Sequence, residues 1–76
     1  MIKLAVVTGS EGYIGRSVVQ HLLANDVTVF GVDLASSSSQ ISPSNYCSLD
    51  LTDSSSFSSW LSGLTVLRSQ PFTLIH

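Results

Sequence analysis

Apolar residues follow two different rhythms along this chain. From Ile2 to Gly9, IKLAVVTG, they run almost unbroken through Leu4, Ala5, Val6 and Val7 and stop at Thr8-Gly9. A strand covered on both faces reads this way, as central parallel strands do. The rhythm then becomes one in four. Ile14, Val18 and Leu22, with Val19 and Leu23 beside them, form one stripe of a helix predicted from about Gly12 to Asn25. VTVFGVD, Val27 to Asp33, predicts a second strand that ends on an acid. ASSSSQISPSN, Ala35 to Asn45, is a loop by composition and is read as a long surface loop, because the pieces beside it are too short to be domains.

YCSLDL, Tyr46 to Leu51, predicts a short third strand. Thr52 or Asp53 can cap a second helix, since either side-chain oxygen can accept an unpaired N–H. Phe57, Trp60, Leu61 and Leu64 make its apolar face, with Trp60 as a core residue; Gly63 and the serines weaken it, and it ends before Pro71. FTLIH, Phe72 to His76, predicts a fourth strand. Strands alternating with helices point to an α/β fold with a parallel sheet and right-handed crossovers.

Composition sharpens this outline. The chain has 76 residues, 43% of them hydrophobic and only 11% charged. A fold below ~80 residues usually needs disulfides, a metal or a partner. One cysteine, Cys47, excludes an internal disulfide and is read as a small buried residue. No Cys/His cluster has zinc-ligand spacing, so no metal site is expected. So apolar a chain with so little to staple it reads as the first part of a larger fold. Residues 1–76 are therefore expected to be a partial domain, truncated before a catalytic half. Lys3, Arg16 and Arg68 are scattered and net charge is −2, which argues against nucleic acid as a partner. No apolar run approaches the ~20 residues of a membrane span, and the N-terminus is too short in apolar residues for a secretory signal. A reducing, cytoplasmic setting is expected.

The candidate chemistry lies in TGSEGYIG, Thr8 to Gly15, where glycines recur every third residue. Each glycine has its own task in a strand–turn–helix that grips a pyrophosphate. Gly9 allows the tight turn out of the strand. Gly12 lets the backbone approach the phosphates, and Gly15 lets the helix pack tightly against neighbouring strands. The first N–H groups of the helix and its dipole then face the anion. The stretch lacks the Gly-Lys-Ser/Thr ending of a P-loop, which argues against nucleotide triphosphate hydrolysis. Asp33 lies 18 residues after Gly15, close to the separation of about 20 in the dinucleotide fingerprint. A carboxylate there accepts from both adenosine ribose hydroxyls and repels a 2′-phosphate. At ~4 Å and an effective dielectric of ~20, two charges interact by about 4 kcal/mol. The expected cofactor is NAD in preference to NADP. Glu11, a negative charge inside an anion-binding loop, is expected to point to solvent.

Thr8-Gly9-Ser10-Glu11-Gly12-Tyr13-Ile14-Gly15 resembles the TGxxGxxG motif of the short-chain dehydrogenase/reductase superfamily. With Tyr13-Ile14 ahead of the last glycine it is most similar to the extended branch, the NAD-dependent epimerase/dehydratase family. DLTD, Asp50 to Asp53, resembles that family's acidic motif after the third strand, and LIH, Leu74 to His76, the start of its fourth-strand motif. The resemblance covers essentially the whole chain. It implies a Rossmann-type parallel sheet of strand order 3-2-1-4, forming the N-terminal half of a larger domain. It implies cofactor contacts at Gly9, Gly12, Tyr13, Ile14, Gly15, Asp33, Asp50 and Leu51, with Asp50 at the adenine ring.

The family's chemistry rests on a Tyr-x-x-x-Lys pair, in which the lysine lowers the tyrosine pKa. Here Tyr46 is followed four residues later by Asp50, and the one lysine is Lys3. No catalytic residue is assigned, and the 76 residues alone are expected to be inactive. His21, Ser17 and Asp26 lack a Gly-x-Ser-x-Gly elbow and are not read as a triad. The implied parent is an epimerase, dehydratase or dehydrogenase acting on a nucleotide sugar or similar alcohol. The alternative is a non-catalytic dinucleotide-binding module, such as a redox-sensing regulator or pseudoenzyme. An open fourth-strand edge invites a second copy of the chain or the remainder of the parent, so marginal stability or oligomers are expected.

Overall fold

A computed structural model describes residues 3–64 and 72–75. Leu4 to Thr8 are all buried, in the strand β1 (Lys3–Thr8). Packing on both faces of the sheet explains why β1 is apolar on both. β2 (Val27–Asp33) runs parallel to it, from Lys3↔Val27 to Thr8↔Val32. β4 (Thr73–Ile75) lies parallel on the other side, from Ala5↔Thr73 to Val7↔Ile75. β3 (Tyr46–Ser48) completes the sheet beside β2, with Gly31↔Tyr46 and Asp33↔Ser48. The order β3-β2-β1-β4 and the parallel pairings are those expected of a Rossmann-type α/β fold.

Alternate residues of β1 face opposite sides, and among the described residues each side carries one helix. Val7 packs with Val19, Val29 and Ile41 beneath α1 (Tyr13–Ala24), with Val18, Leu22, Val27, Tyr46 and Ile75 around them. Leu4, Val6 and Phe30 pack under α2 (Ser54–Gly63), where Trp60, Leu61 and Leu64 cover them. Val19 is the one fully buried residue of α1; burying such a side chain contributes ~1.5–3 kcal/mol. The predicted stripe is otherwise shifted, because Ile14, in the first turn, projects past the sheet and is 74% exposed. Cys47 is half-buried rather than buried, since β3 is an edge strand.

The serine-rich segment departs from a simple surface loop. Ile41 turns inward and is buried against Val7, Val19 and Val29, while a 3-10 turn, Pro43–Asn45, leads into β3. β3 also ends earlier than the predicted Leu51. The Leu49 amide still reaches the Asp33 carbonyl at 3.0 Å, but Asp50 then takes the Thr52 amide (2.9 Å) and hydroxyl (2.7 Å), and this local turn replaces the strand ladder. Asp53, not Thr52, caps α2 by accepting from the Ser56 amide at 3.2 Å and hydroxyl at 2.7 Å. The predicted strand start at Ile2, the stretch leading to Pro71 and the strand end at His76 lie outside the described residues.

Asp26 closes the α1–β2 connection at φ +60, the left-handed region that disfavours a Cβ. Asp26→Gly should stabilise the fold by about 0.5–1 kcal/mol, partly offset by glycine's unfolded-state entropy; an unchanged or lower Tm would contradict this. The bonds from Ser56 hold the Asp53 carboxyl below its ordinary value. Its contribution is therefore complete above pH ~4 and fades as pH falls through the lowered value. Asp53→Ala should reduce helical circular dichroism at pH 7 and differ less from the parent chain in acid.

Candidate functional site

The loop between β1 and α1 is held by backbone bonds on nearly every residue. Gly9 sits at φ +67, where a side chain is strained, and its amide donates to the Val32 carbonyl at 2.9 Å. Ser10 donates its amide to the same oxygen at 3.4 Å, and the Gly12 amide closes the turn on the Gly9 carbonyl at 3.1 Å. The first helical bond runs from the Arg16 amide to the Gly12 carbonyl at 2.8 Å. No side chain caps this end of α1, so the amides of Tyr13, Ile14 and Gly15 precede the helical ladder at its open end.

The glycines divide their tasks differently from the expectation. A Cβ on Gly15 would lie 1.9 Å from the Gly9 oxygen and 3.1 Å from the Ser10 Cα. Gly15 thus lets the helix meet its own loop rather than the neighbouring strands. Gly12 is exposed, and a Cβ there would meet only the Gly9 oxygen, at an ordinary 3.4 Å. Its φ of −75 suits any residue. The fold itself does not require glycine at this position, which borders the adjoining cleft.

That cleft, of ≈ 410 Å³, opens where β1 gives way to α1 on one side and β4 on the other, the point at which strand order reverses. Val7, Val18 and Ile75 form its apolar part, and Gly9, Gly12, Tyr13, Ile14 and Gly15 its rim. Tyr13 is 93% exposed. Thr8 donates its hydroxyl to the Ile75 carbonyl at 3.3 Å, joining β1 to β4 beside the cleft.

Asp33 stands at the end of β2 on the other side of the loop. Its Oδ2 accepts from the Glu11 amide at 2.9 Å and its Oδ1 from the Leu34 amide at 2.6 Å. The second-strand acid is thus tied directly to the glycine loop. Glu11 does not simply extend into solvent: its carboxylate accepts from the buried Ser10 hydroxyl at 3.0 Å. Tyr46 donates to the Ala35 carbonyl at 2.5 Å and the Asp33 carbonyl at 3.4 Å, anchoring the chain after β2. Burial and the charges of Glu11, Asp33 and Cys47 raise its pKa. Asp50 and Leu51 are exposed in the turn after β3. The Thr52 hydroxyl and amide hold the Asp50 carboxyl below its ordinary value. His21 and Ser17 lie exposed on α1, where Ser17 donates to the Tyr13 carbonyl at 3.5 Å. Among the described residues no group of acids, histidines or cysteines can hold a metal.

Sequence reasoning missed Gly31 and the buried role of Ser10. A Cβ on Gly31 would lie 2.8 Å from the Ser10 hydroxyl oxygen and 2.3 Å from the Ile41 Cδ1. Gly31 makes room in β2 for the loop serine and the isoleucine plug together. The sole sequence signal was a glycine inside an otherwise bulky strand.

This fold is a Rossmann-type α/β unit, with a cleft rimmed by glycines on one side of the loop and a second-strand acid on the other. The family model for the NAD dependent epimerase/dehydratase family matches residues 5–66, and the chain belongs to that family. Membership implies a nicotinamide dinucleotide as cofactor. Neither a curated protein nor a solved structure gave a match. No helix among the described residues is long and apolar enough to cross a membrane.

The two glycines should separate experimentally. Gly15→Ala should unfold the chain or cost more than about 3 kcal/mol, because both sides of the overlap are backbone. Gly12→Ala should leave stability within about 1 kcal/mol. Equal effects in denaturant titrations would contradict the assignment.

Proposed function

We propose that the chain is the NAD-binding N-terminal portion of an extended short-chain dehydrogenase/reductase. Its parent acts as an epimerase, dehydratase or dehydrogenase on a nucleotide sugar or related alcohol. The observation that carries this reading is Gly12, exposed at the cleft rim where the fold tolerates a side chain, beside the three amides at the open end of α1. A diphosphate fits there against main-chain N–H groups and the positive end of α1. Gly9, Gly12, Tyr13, Ile14 and Gly15 hold the diphosphate, Asp33 takes the adenosine ribose, and Asp50 and Leu51 border the adenine. When bound, the nicotinamide supplies hydride transfer; this chain's residues hold and orient the cofactor.

Asp33 retains acceptor capacity beside its two amide bonds, and it opposes a 2′-phosphate by charge. NAD is therefore the preferred cofactor. The Tyr-x-x-x-Lys pair does not occur in the 76 residues, so turnover requires residues beyond this unit. Residues 1–76 then constitute a partial domain. Its β4 edge serves the remainder of the parent or a second copy, in a cytoplasmic setting that suits the free thiol of Cys47.

Titration calorimetry on the full chain should show NAD bound more tightly than NADP, with Asp33→Ala narrowing the gap. Gly12→Val should abolish dinucleotide binding while circular dichroism stays that of the parent chain. NADP affinity equal to or above that of NAD removes the cofactor assignment. Undiminished binding by Gly12→Val removes the site.

A further inference from the structure

Glu11 has no place in the diphosphate grip, yet it is built into the same corner as Asp33. Its amide nitrogen lies 2.9 Å from Asp33 Oδ2, and its own carboxylate is steadied by the Ser10 hydroxyl at 3.0 Å. Ser10 is fully buried and fills the space left by Gly31, so the anchor of this contact is rigid. The hydrogen bonds that Glu11 and Asp33 receive come from the Ser10 hydroxyl and the amides of Glu11 and Leu34, none of them charged. We propose that Glu11 is a second specificity-determining residue, whose carboxylate acts with that of Asp33 to exclude dinucleotides phosphorylated at the adenosine 2′ position. The inference rests on the dinucleotide-binding reading above.

The Glu11 amide on Asp33 Oδ2 keeps the two acids together at the C-terminal end of β2. The Tyr46 hydroxyl lies at the Asp33 and Ala35 carbonyls there, and its pKa is raised first by burial and then by the charges of Glu11 and Asp33. A ribose on Asp33 places its 2′ substituent in their combined field. Neutral hydroxyls are tolerated there, whereas a doubly charged phosphate meets both carboxylates.

Glu11→Gln removes the charge and keeps an oxygen that accepts from Ser10. Calorimetry on the full chain at low salt should show the ratio of NADP to NAD affinity rising about 3–10-fold, the size expected of one partly solvated charge. The gain should persist in an Asp33→Ala background, since Glu11 acts on the ligand directly. The Asp33→Ala chain should itself retain a preference for NAD that shrinks between 0.05 M and 1 M NaCl, as screening tightens. If Glu11 only steadies the loop, both affinities move together and the ratio stays constant, which overturns the proposal. A salt-independent preference in Asp33→Ala overturns it too, even if Glu11→Gln fails to fold. Should the parent chain bind neither dinucleotide, the reading beneath it fails first.

Discussion

The structure depends on one backbone contact, the approach of α1 to the Gly9 carbonyl at Gly15. A Cβ at that position would sit 1.9 Å from the oxygen. Because none is present, the helix begins directly against the turn that ends β1. Its direction is then set by the loop, whose amides are fastened to Val32 and Gly9. Val19 follows one turn further along α1 and enters the core against Val7 and Val29. The same approach leaves the first turn, Tyr13, Ile14 and Gly15, lining the cleft beside β1 and β4. Fold and cleft geometry thus share a single steric condition.

The loop is governed by two kinds of constraint. Gly9 and Gly15 answer to the protein itself, one through a left-handed φ and the other through overlap of backbone atoms. Gly12 answers to nothing within the protein, and its small size is meaningful only toward the cleft. Asp33 belongs to both kinds. Its carboxylate fastens the loop through the Glu11 amide, and in the proposed function it also meets the adenosine ribose. Tyr46 supports the arrangement from β3 by holding the carbonyls that follow β2.

The two faces of the sheet are not equally secured. Beneath α1 the core contains four buried side chains, including Ile41 from the serine-rich segment. Beneath α2 the strands contribute Leu4, Val6 and Phe30, whereas the helix contributes only half-buried residues. Its serines lie exposed, and the Asp53 cap does much to define where it starts. The α1 face, which carries the site, is the better packed of the two.

Much of this architecture was legible in the residues alone. Continuous burial from Leu4 to Thr8, the apolar stripe of Val18, Val19 and Leu22 in α1, the acid ending β2 and the glycine spacing all depend on neighbours within a few positions, so periodicity and spacing reveal them. The sheet order likewise follows from alternating elements together with the resemblance of the glycine motif. Other features came only from tertiary contacts. The Asp33–Glu11 bond, the shared space of Ser10, Gly31 and Ile41, and the packing of Gly15 on Gly9 each required the loop to be folded against β2 or α1. The exposure of Ile14 and the early end of β3 were decided in the same way, by where the sheet stops and by which amide Asp50 reaches first. Local pattern determined which elements form. Distances between residues remote in the chain, which no local pattern encodes, decided what each glycine and each carboxylate does.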